Sequence, residues 1–127
     1  FRLQAPPCPF RKSWTPTFDG NNAMTFTDTT SVTYYSKIGN LTFIYIEVRG
    51  TIGGTPDAIL TCTLPFATPA GGNFQVMNGY AFNNATNEIC ICTIGPSTNL
   101  LKAYHNDFSV WTPGHGGFSV NGFYFST

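Results

Sequence analysis

From Met24 onward, apolar and polar positions mostly alternate with period two, the spacing at which a half-buried strand turns every second side chain to a core. "MTFTDTT" and "SVTYYSKI" are rich in threonine and aromatic residues, types that suit a pleated surface. After the tight Ile38-Gly39-Asn40 break, "LTFIYIEVRGTI" is expected to be the longest strand. It departs from simple alternation. Thr42, Ile44, Ile46 and Val48 fall on one face and Leu41, Phe43, Tyr45 and Glu47 on the other, so both faces are apolar over most of its length. Such a strand needs cover on two sides, as a central strand or at a contact between subunits.

"AILTCTLPF" follows the "GGTPD" turn, and "ATPAGGN" reads as a loop. "FQVMNGYAF" and "EICICTI" flank "NNATN" and predict a hairpin. "LLKAYH", a polar and aromatic loop "NDFSVWTPGHGG", and a closing strand "FSVNGFYFST" complete the chain. The weak pattern in "NLLKAYHND" is the only trace of helical periodicity. Short strands about ten residues apart predict an all-β fold, an antiparallel β-sandwich or barrel. The Pro-rich start, "FRLQAPPCPFRKS", reads as an extended lead-in over residues 1–12, ahead of a single domain over 13–127. The chain starts at Phe1 without a signal-like segment, which suggests a fragment or a processed product.

Composition sharpens the question of cover. Charged residues are 9% of the 127, against about 25% in ordinary soluble domains, and aromatics are 16%. A surface with so little like-charge repulsion is expected to lie partly inside an oligomer. Six basic and six acidic residues cancel, and they form no basic stripe that would hold nucleic acid. The longest near-apolar run, Leu41 to Val48, is far short of the roughly 20 residues of a membrane-spanning helix. Cys8, Cys62, Cys90 and Cys92 lack zinc-site spacing. Cys90 and Cys92, neighbours on one strand face, are expected to be buried thiols, which suits folding in a reducing cytoplasm.

Candidate chemistry is thin. The carboxylates Asp19, Asp28, Asp57, Glu47, Glu88 and Asp107 form no motif for glycoside cleavage. Asp19 and Asp57 sit in turn sequences, and Glu47 is expected to pair with Arg49 on the same strand face or across subunits. His105, His115 and Asp107 supply neither a nucleophile elbow nor a distinctive metal spacing. No catalytic residue, metal or cofactor is assigned. Sugar binding is better served, because it needs aromatic rings for the pyranose C–H face and polar groups for the hydroxyls. Tyr104, His105, Asn106, Asp107, Trp111 and His115 concentrate these types in one loop region. Trp111 and Phe108 have a second reading, as anchors closing the end of the core. A weaker group is Tyr80, Asn83, Asn84 and Asn87. The sequons at Asn40 and Asn84 are read as turn chemistry, with Asn40 in a left-handed conformation beside Gly39.

The ordered set "SWTPTF", "VTYYSKIGNLTFIYIEVRGTI" and "LTCTLPFATP" resembles small domains of phage and prophage tail fibre and tailspike proteins. The matching positions are Trp14 to Thr17, Tyr35, Lys37 to Leu41, Leu64 to Phe66 and Gly122 to Phe125. The "NDFSVWTPGHGG" loop has no counterpart in that pattern. The resemblance implies a jelly-roll-like β-sandwich assembled as a homotrimer, with Phe43, Tyr45, Glu47 and Arg49 near the threefold axis. It implies a non-enzymatic distal domain of the virion, folded in the bacterial cytoplasm, whose partner is host polysaccharide or lipopolysaccharide. The alternatives are a trimerisation module without a ligand, or a polysaccharide hydrolase.

Overall fold

The computed structural model describes residues 11–127. Eight strands and no helix make up the described residues: β1 (Phe18–Gly20), β2 (Met24–Ile38), β3 (Leu41–Gly54), β4 (Leu60–Thr63), β5 (Gln75–Asn83), β6 (Thr86–Ile94), β7 (Leu100–His105) and β8 (Gly114–Phe125). They form one antiparallel sheet in the order β1-β4-β7-β6-β5-β8-β3-β2. The sheet rolls nearly into a barrel, because its two edge strands, β1 and β2, are consecutive in the chain and joined by a short turn. The segment before β1 helps to hold the roll. Lys12 exchanges two backbone hydrogen bonds with Tyr35 of β2, and Thr17 accepts one from Thr63 of β4. The fold therefore takes up the chain at Lys12, within the expected lead-in.

The two threonine-rich segments are one strand. β2 runs for 15 residues, one more than β3, and absorbs a bulge between Asp28 and Thr30 that keeps its register with β3. Ile38 pairs with Leu41, leaving a two-residue turn in which Gly39 takes φ +59. Asn40 is not in the left-handed region, so the turn places its glycine first and Asn40 does not need the conformation expected of it. β5 and β6 form the expected hairpin, with Asn84 at φ +54 in its turn. "LLKAYH" is strand β7, not helix.

The core fills the roll. Ile44, Ile46, Val48 and Ile52 of β3 meet Phe118, Val120 and Tyr124 of β8, Leu60 and Cys62 of β4, and Leu101 of β7. Trp111 seals this core with no exposed surface. β8 starts at Gly114, four residues before the expected strand. Its glycines permit close packing: a side chain at Gly117 would lie 2.0 Å from the Val48 carbonyl oxygen and 2.9 Å from the Phe82 ring. Cys62, Cys90 and Cys92 are free, buried thiols. Cys90 and Cys92 lie 3.7 Å apart, and their hydrogen bond together with burial pushes the Cys92 thiol well above its ordinary range. Cys8 lies outside the described residues.

Candidate functional site

The inward set of β3 is buried: Thr42, Ile44, Ile46 and Val48 are at most 3% exposed. The outward set is not. Phe43 is 42% exposed, Arg49 is exposed, and Tyr45 and Glu47 are half-buried. Strand register brings more apolar groups to this face, since Phe43 lies opposite Phe123, and Leu41 lies between Ile38 and Phe125. Ring centroids are 5.9 Å apart for Phe43 and Phe123 and 6.2 Å apart for Phe123 and Phe125. Tyr34 lies opposite Tyr45, and the Arg11 guanidinium sits 4.2 Å from the Tyr34 ring centre. Arg11, Val32, Tyr34, Ser36, Phe43 and Tyr45 line an open groove of about 440 Å³. Ile38, Phe123 and Phe125 are each more than half exposed.

The charges on this face have local partners. The Tyr45 hydroxyl donates to the Glu47 carboxylate at 3.0 Å, and that hydrogen bond holds the phenol above its ordinary pKa. Arg49 lies 4.9 Å from the Phe82 ring centre. The expected Glu47–Arg49 ion pair is absent within the chain, because each side chain reaches a neighbouring aromatic instead. Among the described residues the one contact between a basic and an acidic side chain is His105 with Glu88.

The second region is the segment 106–113 between β7 and β8. Of the six residues assigned to sugar, Asn106 and Asp107 are exposed at the start of this segment, and the half-buried Tyr104 precedes them near the end of β7. His105 and Trp111 are buried instead. Trp111 is fully buried, its backbone N–H donates to Asp57 and its indole N–H to Ala103, so no ring face is open to a sugar. His105 packs 4.2 Å from Trp111, centroid to centroid, and its Nδ1 contacts Glu88. His115 belongs to β8, three strands from β7, which is on the order of 14 Å at the usual strand spacing. There its ring stacks on Phe82. Of the weaker group, Tyr80 is exposed, whereas Asn83 and Asn84 bind the segment to the β5–β6 turn through Thr112, Pro113 and His115.

The residue not assigned to the ligand is Phe108. It is 56% exposed, takes φ +59, and meets Tyr104 edge to face with centroids 5.1 Å apart. A signal for it exists in "NDFS". Asp107 accepts the Ser109 N–H at 3.0 Å, and this Asx turn carries the residue between them into the left-handed region; the Ser109 hydroxyl, followed by that N–H, holds the Asp107 carboxyl below the usual range.

The other carboxylates serve the fold as well. Asp57 accepts from Asn21, Asn22 and the Ile59 N–H, and Asp19 accepts from the Gly20 N–H. Among the described residues, no group of three or more His, Cys, Asp or Glu is placed to hold a metal ion, and no helix is long and apolar enough to cross a membrane. The chain matches no known protein family, and no curated protein or solved structure is significantly similar to it.

Proposed function

We propose that this chain is an assembly and attachment module: a distal domain of a phage tail fibre or tailspike that trimerises and contributes to binding host-surface glycan. One observation carries the reading, the contiguous exposed row Phe43, Phe123 and Phe125 flanked by Ile38 and Tyr45. Aromatic residues in contact across strands expose area that water solvates poorly, and a patch of this kind on a small domain marks a contact surface. The scarcity of charge supports the same reading. Three copies meeting through this face would cover the outer side of β3, with Glu47 and Arg49 at the polar rim.

In this reading the rolled sheet is the jelly-roll-like sandwich that the sequence resemblance implies, and it belongs to the virion. The attachment role rests on the aromatic and polar tip at Tyr104, Asn106, Asp107 and Phe108. A non-enzymatic role is supported by the local hydrogen bonds that engage Asp19, Glu47, Asp57, Glu88 and Asp107. The test is chemical cross-linking of the purified chain followed by incubation with capsular polysaccharide and lipopolysaccharide. Cross-linked trimers that retain polysaccharide without releasing reducing ends are expected. Release of reducing ends would sink the non-enzymatic reading, and cross-linking that yields only single chains would sink the assembly.

A further inference from the structure

Phe108 is a bulky residue in a conformation that L-residues avoid, and it gains little shelter there. A left-handed backbone is disfavoured for any side chain with a Cβ, and such strain persists only where the surroundings impose it. The surroundings here are well defined. The Phe108 N–H donates to the His105 carbonyl, Asp107 accepts from the Ser109 N–H, and Trp111 pins the chain three residues on. The result is a ring held outward, 56% exposed, at an interplanar angle of 66° to Tyr104.

We infer that Tyr104 and Phe108 form a two-walled aromatic corner that receives one neutral pyranose ring of a surface polysaccharide. This rests on the attachment reading proposed above and names the residues that would carry it. The chemistry fits the class of ligand. Two rings set at a steep angle offer one face for the C–H side of a sugar and an edge that confines it. Asn106 and Asp107 are exposed at the same tip. Asp107 accepts the Ser109 N–H through Oδ1 and is also engaged by the Ser109 hydroxyl, and its exposed carboxylate keeps lone pairs for a sugar hydroxyl, while the Asn106 amide has no hydrogen-bond partner among the described residues. The pinned turn fixes the corner before the ligand arrives, which lowers the ordering cost of binding. Phe108 is thus a binding residue whose backbone strain positions it.

Phe108→Gly separates this role from a structural one, because glycine accepts the left-handed backbone while removing the ring. Binding of the parent chain, Phe108→Gly and Tyr104→Ala would be measured on immobilised capsular polysaccharides and lipopolysaccharides, with thermal melting of each. The expected result is binding weakened about tenfold in both variants, with Phe108→Gly melting no lower than the parent. Parent and Phe108→Gly binding one polysaccharide equally would overturn the corner and leave the attachment reading intact. A melting temperature for Phe108→Gly well below the parent's would overturn it too, by showing that the ring serves the fold. A parent chain that binds nothing on the panel would bring down both the corner and the attachment reading, leaving assembly untouched.

Discussion

The two faces of β3 carry side chains of similar apolarity, yet they meet opposite surroundings. Ile44, Ile46 and Val48 are enclosed by this chain's own β4, β7 and β8. Phe43, one residue away, looks outward across an aromatic row that the described residues leave open. Hydrophobicity alone therefore does not say what a strand face touches. The inner face is satisfied by folding, so its residues should govern stability. The outer face is left open by the described residues, and in the proposed assembly its residues should govern association.

Breaking the inner face should cost most. Ile46→Ala is expected to lose about 2–5 kcal/mol of folding stability, since the site is fully enclosed and cannot collapse around the cavity. Urea denaturation measures it, and a loss under about 1 kcal/mol would mean that the core is looser than described. On the outer face, Phe43→Lys should leave the unfolding free energy of the separated chain within about 0.5 kcal/mol of the parent. The same change should weaken association by about 2 kcal/mol, as expected for an aromatic anchor at the centre of an interface. Equal losses in both measurements would erase the distinction between the faces.

A smaller effect belongs to the turn that sets which residues face inward. A one-residue slip of β2 on β3 would exchange the two faces, and the Gly39 turn fixes the register. Gly39→Ala places a Cβ at φ +59 and should cost about 1 kcal/mol, read from the shift in urea midpoint. The space around it is open, so any loss is conformational rather than steric. The smallest effect comes from Asp57, beyond the far end of the hairpin. Its carboxyl is held below the usual range mainly by the Asn22 amide, with burial opposing and Asn21 and the Ile59 N–H assisting. The depressed folded pKa adds stability above the unfolded value, and this is lost as pH falls through the folded value. Asp57→Asn should therefore be slightly less stable than the parent at neutral pH, with the gap closing in acid. A gap that widens in acid would contradict the assignment.

Local signals made part of this architecture legible. Period-two alternation, the Ile38-Gly39-Asn40 break and the "NNATN" turn announce an all-β chain, a tight turn before β3 and the β5–β6 hairpin, because such turns are specified by residues close in sequence. The partners of β3 and β5 were not legible in the same way. Both pair with β8, and nothing in a strand's own sequence names a neighbour 62–84 residues away, as for β3, or 33–41 away, as for β5. The start of β8 is also hidden in the sequence, since "PGHGG" looks like a loop until the close approach of Phe82 and Val48 explains its glycines. Within the 106–113 segment, composition gathered the right residue types but could not divide them. Trp111 and Phe108 are both large aromatics three residues apart. One turn sends the first into the core and the second into solvent.

The most direct test of the account is sedimentation equilibrium of the intact chain at micromolar concentration, run beside Phe43→Lys. A parent mass of about three times 13.9 kDa is expected, with the variant shifted toward the single-chain mass. A parent that sediments as one 13.9 kDa chain would contradict it, because the outer face of β3 would then be stable in water without a partner.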